Sequence, residues 1–164
     1  QTFVGKNSDS LSDIDFISET AKEKISSNSE PKNWEKCAKL IEKYKIKFVS
    51  ILDENYPSLL KSIYDPPPFL FYRGSLKKDD FRRTIAIVGT RKASNYGKIM
   101  TKRIGGVLAK AGFTIVSGLA FGIDTIAHLS ALENGGRTIA VMGTGVDQIY
   151  PPRNREIAEK IVEN

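Results

Sequence analysis

A doubly wound, Rossmann-like parallel sheet is predicted for the second half of this 164-residue chain, behind a small and mostly helical first part, making an α/β protein. Three observations predict it. Apolar runs at 85–88, 113–117 and 138–142 are short and continuous, as buried parallel strands are. Each run ends at or beside a glycine. Each is followed by a helical stretch, roughly 94–111, 122–133 and 153–163, and strands alternating with helices mean a sheet covered by its crossovers.

In chain order, residues 1–10 are polar and without period, a pattern of frayed ends. The chain does not begin with Met, so an upstream piece is expected. Apolar residues at 11, 14, 17, 21 and 25 mark one helix face, with Ser10 or Ser12 as its cap. A polar linker over 26–32 follows. Trp34, Cys37, Ala38, Ile41 and Tyr44 mark a second amphipathic helix, with Trp34 as a packing anchor. Residues 47–52 read as a short strand, 53–57 as a turn, and 58–64 as a short helix opened by Pro57. Asp65-Pro66-Pro67-Pro68 is a stiff extended connector, and 69–72 an edge strand. A solvated hinge over 75–83 places the domain boundary near 80, giving domains 1–80 and 81–164. The last predicted helix has no strand after it, so the sheet is expected to continue beyond a chain that stops partway through its domain.

No apolar run is long enough to span a bilayer as a helix. The single Cys37 precludes an internal disulfide and a cysteine-rich zinc site, and fits a reducing cytoplasm. Net charge is +6, and residues 1–80 contribute none of it. The excess lies where the glycine turns are, and it serves either a polyanionic ligand or solubility.

In parallel strand–helix units the C-terminal ends of all strands share one edge, where ligands bind. Three glycine corners are expected on that rim. The first is Gly89-Thr90-Arg91-Lys92, the second runs from Ser117 and Gly118 to Phe121 and Gly122, and the third is Gly143-Thr144-Gly145. Glycine lets backbone N–H groups approach an anion, and a helix N-terminus adds partial positive charge. Arg91 offers a guanidinium for bidentate phosphate contact. Lys92 adds to the field, Ser94 caps the following helix, and Tyr96 on its first turn stacks, donates to the ligand or packs in the core. Ser117 bonds phosphate or satisfies its own turn. Asp124 and His128, four apart on one helix face, have no nucleophile or metal partner in the pattern and read as a structural pair. The GTGVD stretch is not a dinucleotide fingerprint, and GxxxxGK[ST] is missing, so neither NAD nor a P-loop nucleotide is expected. No cofactor, metal or catalytic residue is predicted.

Taken together, YP..L (Tyr56, Pro57, Leu60), DPP..L..RG (from Asp65 to Gly74), VGTR..S.YG (from Val88 to Gly97), SGLA.GID..AH..AL (from Ser117 to Leu132) and AVMG.G.D..YP..N (from Ala140 to Asn154) resemble the DNA-processing protein A (DprA/Smf) family over about 46–164. The resemblance implies a binder of single-stranded DNA rather than an enzyme. Such proteins protect strands taken up in natural transformation and load the RecA recombinase onto them. It implies a groove in the Rossmann-like domain with Arg91 as its arginine, a small helical SAM-like domain in front, and homodimer and RecA contacts in later strands. The alternative from a related fold, a nucleotide-processing phosphoribohydrolase, carries a PGG.GT..E motif that this sequence lacks.

Overall fold

The computed structural model describes residues 33–164. The helix expected over 11–25 lies outside those residues, as does the side chain of Trp34; of the helical first domain expected over 1–80, the part from 33 onward is described. By internal contacts the chain divides into Gln1–Lys39 and Leu40–Asn164. The boundary that the sequence suggests near 80 does not coincide with this division; residues 40–80 fall in the same compact unit as the parallel sheet.

Helix α1 (Trp34–Tyr44) has Glu35 in its first turn and Lys43 in its last, the placement that suits the helix dipole. Strands β1 (Lys47–Ser50) and β2 (Phe69–Tyr72) pair antiparallel, Phe48 opposite Phe71 and Ser50 opposite Phe69. Between them lies α2 (Ser58–Lys61), a single turn. The proline connector has few donors of its own. It is held from outside: Tyr56, 3% exposed, donates its hydroxyl to Pro67 O at 2.7 Å.

Two partly buried arginines join this segment to the rest of the unit. Arg73 meets Glu159 at 2.7 Å, and Arg137 meets Asp80 at 3.1 Å while also donating to Ser75 O. Asp80 is 7% exposed and also accepts from the Lys77 amide. Removing one member of a buried pair strands the other charge. Arg137→Ala is therefore expected to lower stability by about 3 kcal/mol, read as an earlier urea midpoint. An unchanged midpoint would show that water already solvates Asp80.

The parallel sheet contains β3 (Thr84–Ala86), β4 (Thr114–Ser117) and β5 (Thr138–Ala140) in that spatial order. Register pairs Ala86 with Val116 and Ser117 with Ala140, so the three C-terminal ends are level. Helix α3 (Asn95–Lys110) crosses from β3 to β4, and α4 (Ile123–Glu133) from β4 to β5. Right-handed crossovers in a sheet whose order follows the chain put both helices on one face. They pack closely, with Gly105 against Ser130 and Gly106 against Asn134. Ala109, Ile115, Ala127 and Ala131 form the core between helices and sheet, flanked by Ile87 and Leu108. A short 3-10 turn, Pro152–Asn154, then leads into α5 (Arg155–Glu163). This is the Rossmann-like arrangement expected of the three apolar runs and their helices.

Candidate nucleic-acid interface

The first corner begins where β3 ends. Gly89 lies against Ile123 of α4, so close that a Cβ would stand 2.7 Å from its Cγ1. Thr90 Oγ1 accepts from the Lys92 amide at 3.1 Å and shapes the turn. Ser94 caps α3, its Oγ accepting from Gly97 N at 3.1 Å. The hydroxyl hydrogen stays available for an anion. Arg91 is exposed and has no hydrogen-bond or ion-pair partner among the described residues.

The second corner is built differently. Leu119 holds φ +59 and Gly122 φ +79. At Gly122 the backbone passes against Thr90 O and Arg91 O, where no side chain fits, and Ile123 N donates to Thr90 O at 3.2 Å. The N-terminus of α4 thus clamps the first corner to the second. Ser117, 2% exposed, donates its hydroxyl to Ile87 O at 2.7 Å. It stitches β4 to the end of the first strand run and is not a phosphate donor; the sheet register has placed its side chain over a carbonyl. The third corner meets the second through Val141 N, which donates to Ser117 O at 2.9 Å. Thr144 donates its hydroxyl to Gln148 O at 2.8 Å, closing the third turn on itself.

One open hollow of about 250 Å³ lies among the corners, lined by Arg91, Gly118, Ala120, Phe121, Met142, Gly143, Thr144, Tyr150 and Pro151. It brings Arg91, Gly118, Phe121, Gly143 and Thr144 together, as the corner argument requires. Gly89, Thr90, Lys92, Ser94, Tyr96 and Gly145 do not line it. The first four and Gly145 lie on the turns or cap position around it; Tyr96 stands in the first turn of α3 and is 74% exposed, so it is not a core residue. Ala120, Met142, Tyr150 and Pro151 are additions. Met142 had a signal, being the last residue before the third glycine on a strand whose end faces the rim. None of the lining residues is a carboxylate, histidine or cysteine.

Behind the rim, His128 is fully buried. Its Nδ1 lies 2.8 Å from Thr138 Oγ1, and that hydroxyl donates to Ile115 O at 2.7 Å. Thr138 must then accept from His128, so Nδ1 carries the proton and Nε2 is the bare nitrogen, buried without a partner. Burial depresses the imidazole pKa to about 4, against a smaller upward pull from Asp124. Asp124 Oδ2 accepts from Ala120 N at 3.4 Å, a long contact that steadies the second corner. Asp124 and His128 stand four apart on one helix face, as the spacing predicts, but they do not bond each other: Asp124 accepts from Ala120 and His128 pairs with Thr138.

Fold and site define a Rossmann-like α/β protein with glycine corners and an unpaired arginine on the sheet's C-terminal rim. The chain belongs to the DNA recombination-mediator protein A family, whose model matches residues 47–164. It is 50% identical over 117 residues to protein Smf of Synechocystis sp., covering 70% of this chain and 29% of that protein. It is 50% identical over 113 residues to DNA processing protein DprA of Streptococcus pneumoniae, covering 68% and 39%. The chain thus spans well under half the length of these curated relatives. The crystal structure of DNA processing protein A from S. pneumoniae matches with a TM-score of 0.68 at 38% identity, over 87% of this chain and 52% of that one. DNA processing protein A from Helicobacter pylori, described for its single-stranded DNA binding mode, matches with a TM-score of 0.65 at 35% identity, over 74% and 53%. Among the described residues no helix is long and apolar enough to cross a membrane, and no His/Cys/Asp/Glu group could hold a metal ion.

Proposed function

We propose that this chain binds single-stranded DNA along the three-cornered rim, with Arg91 and backbone N–H groups holding phosphates. The observation that carries the reading is the hollow itself: an exposed, unpartnered guanidinium shares it with glycine backbone from the second and third corners. Phe121 and Tyr150 line the same hollow, and they are the faces on which bases stack. The basic excess of residues 81–164 supplies the long-range attraction. The relatives' names, in DNA processing and recombination, support this reading. We take the role to be protection of incoming single strands in natural transformation. RecA loading, a second copy of the protein as partner and a cytoplasmic setting belong to the same reading. On this reading the chain acts by binding, and no bond-breaking step is assigned to the hollow.

The test is fluorescence anisotropy of a labelled dT oligonucleotide at low and moderate salt. Binding that weakens by about tenfold or more between 50 and 200 mM salt is expected for several neutralised phosphates. Release of base from nucleoside monophosphates, with no binding of dT, would replace this reading by a nucleotide-processing enzyme. Neither activity would leave the corners a purely architectural role.

A further inference from the structure

We propose that Asn154 is a positioning residue that sets the direction of the second corner's N–H groups; the inference rests on the single-stranded DNA reading above. Asn154 is 3% exposed and lies in the turn that follows the third corner. Its Nδ2 donates to Leu119 O at 2.8 Å and Thr125 Oγ1 at 2.9 Å, and approaches Ala120 O at 3.4 Å. Thr125 in turn donates to Ala120 O at 2.6 Å. Two successive carbonyls of the second corner are thereby drawn toward Asn154 and Thr125.

That hold has a consequence across the peptide bond. In a trans peptide the C=O and the next N–H point opposite ways. With Ala120 O bound on the Thr125 side, the N–H of Phe121 is turned to the other side, and it has no partner among the described residues. Phe121 also lines the hollow beside Arg91. Leu119 would not hold this shape unaided. It is fully buried at φ +59, a conformation that side chains disfavour and that persists only where the surroundings enforce it. Asn154 is part of what enforces it, and because it follows the third corner, it ties the second corner to the third.

The test compares Asn154→Ala, and Thr125→Val as a near-isosteric second variant, with the unaltered chain. Two measurements are made well below the melting temperature: dT oligonucleotide affinity over a salt series, and amide chemical shifts and hydrogen exchange of the free protein. Affinity is expected to fall by about tenfold, the worth of one misplaced hydrogen bond. The salt slope should stay that of the unaltered protein, because no cation is removed. In the free protein, the amides of Leu119, Ala120 and Phe121 should shift and exchange faster while α3 does not. Variants that melt earlier yet bind dT with unchanged affinity would make Asn154 merely structural and overturn the proposal. If the unaltered chain itself does not bind dT, the parent reading fails with it. The amide arm still judges the hold on the corner, and unmoved amides at 119–121 would refute that separately.

Discussion

Gly122→Ala is expected to destabilise the protein by about 4 kcal/mol and to abolish binding at the rim. Two causes add. The residue holds φ +79, where a Cβ strains the backbone, and the added carbon would run into Thr90 O and Arg91 O. Those atoms are main chain of the first corner and cannot turn away as a side chain would. The joint would open, Ile123 N would lose Thr90 O, and Arg91 would move off the hollow. Gly112→Ala is the matched control. Its φ is +80, yet nothing lies within 4 Å of its missing Cβ, so only backbone strain of about 1 kcal/mol is expected. Urea midpoints of the two variants measure the difference. Equal losses would mean that the two corners are not locked together through Gly122.

The second large effect is acid instability from His128. The folded pKa is depressed to about 4, whereas the unfolded chain should titrate near the usual value of about 6.5. The unfolded state therefore takes up a proton first as pH falls. Stability is full above about pH 6.5 and is lost progressively toward pH 4, by about 2 kcal/mol between pH 7 and pH 5 and about 3 kcal/mol in total. The cause is burial away from water, where an N–H formed at Nε2 would find no acceptor among the described residues. His128 is the chain's only histidine, so its ring signals can be followed without ambiguity by NMR. They are expected to stay those of the neutral, Nδ1-protonated form down to pH 5. Titration near pH 6.5 in the folded protein would show that water reaches the ring.

Neither effect could be read fully from the sequence, and the reasons differ. The strand–glycine–helix rhythm from Ile85 onward was legible because buried parallel strands are continuous apolar runs and their helices carry a 3.6-residue period. That rhythm brought Arg91, Gly118, Phe121, Gly143 and Thr144 to one rim correctly, since level strand ends follow from parallel topology. Ser117 shows the limit. Its chemistry suits phosphate, but sheet register decides whether a hydroxyl at a strand end faces outward or, as here, a neighbouring carbonyl. Gly122 was visible as a turn glycine, but its role as the joint to the first corner depends on contacts 31 and 32 residues back in the chain. Asn154 gave no functional signal on its own, for the carbonyls it binds are 34 and 35 residues away. The pairing of β1 with β2 and the two arginine ties to Asp80 and Glu159 were hidden for the same reason. Residues 40–80 fall in the unit of the parallel sheet, where local composition over 75–83 suggested a hinge and a boundary near 80.

The central claim is that Arg91 and the glycine corners hold one shared phosphate strand. It is tested most directly by the slope of log affinity for dT against log salt, measured for the unaltered chain and for Arg91→Ala. Loss of one phosphate contact should weaken binding at every salt concentration in similar measure for dT and mixed-sequence strands, and should reduce the slope by about 0.7. A slope and affinity that Arg91→Ala leaves unchanged would place the DNA elsewhere on the protein.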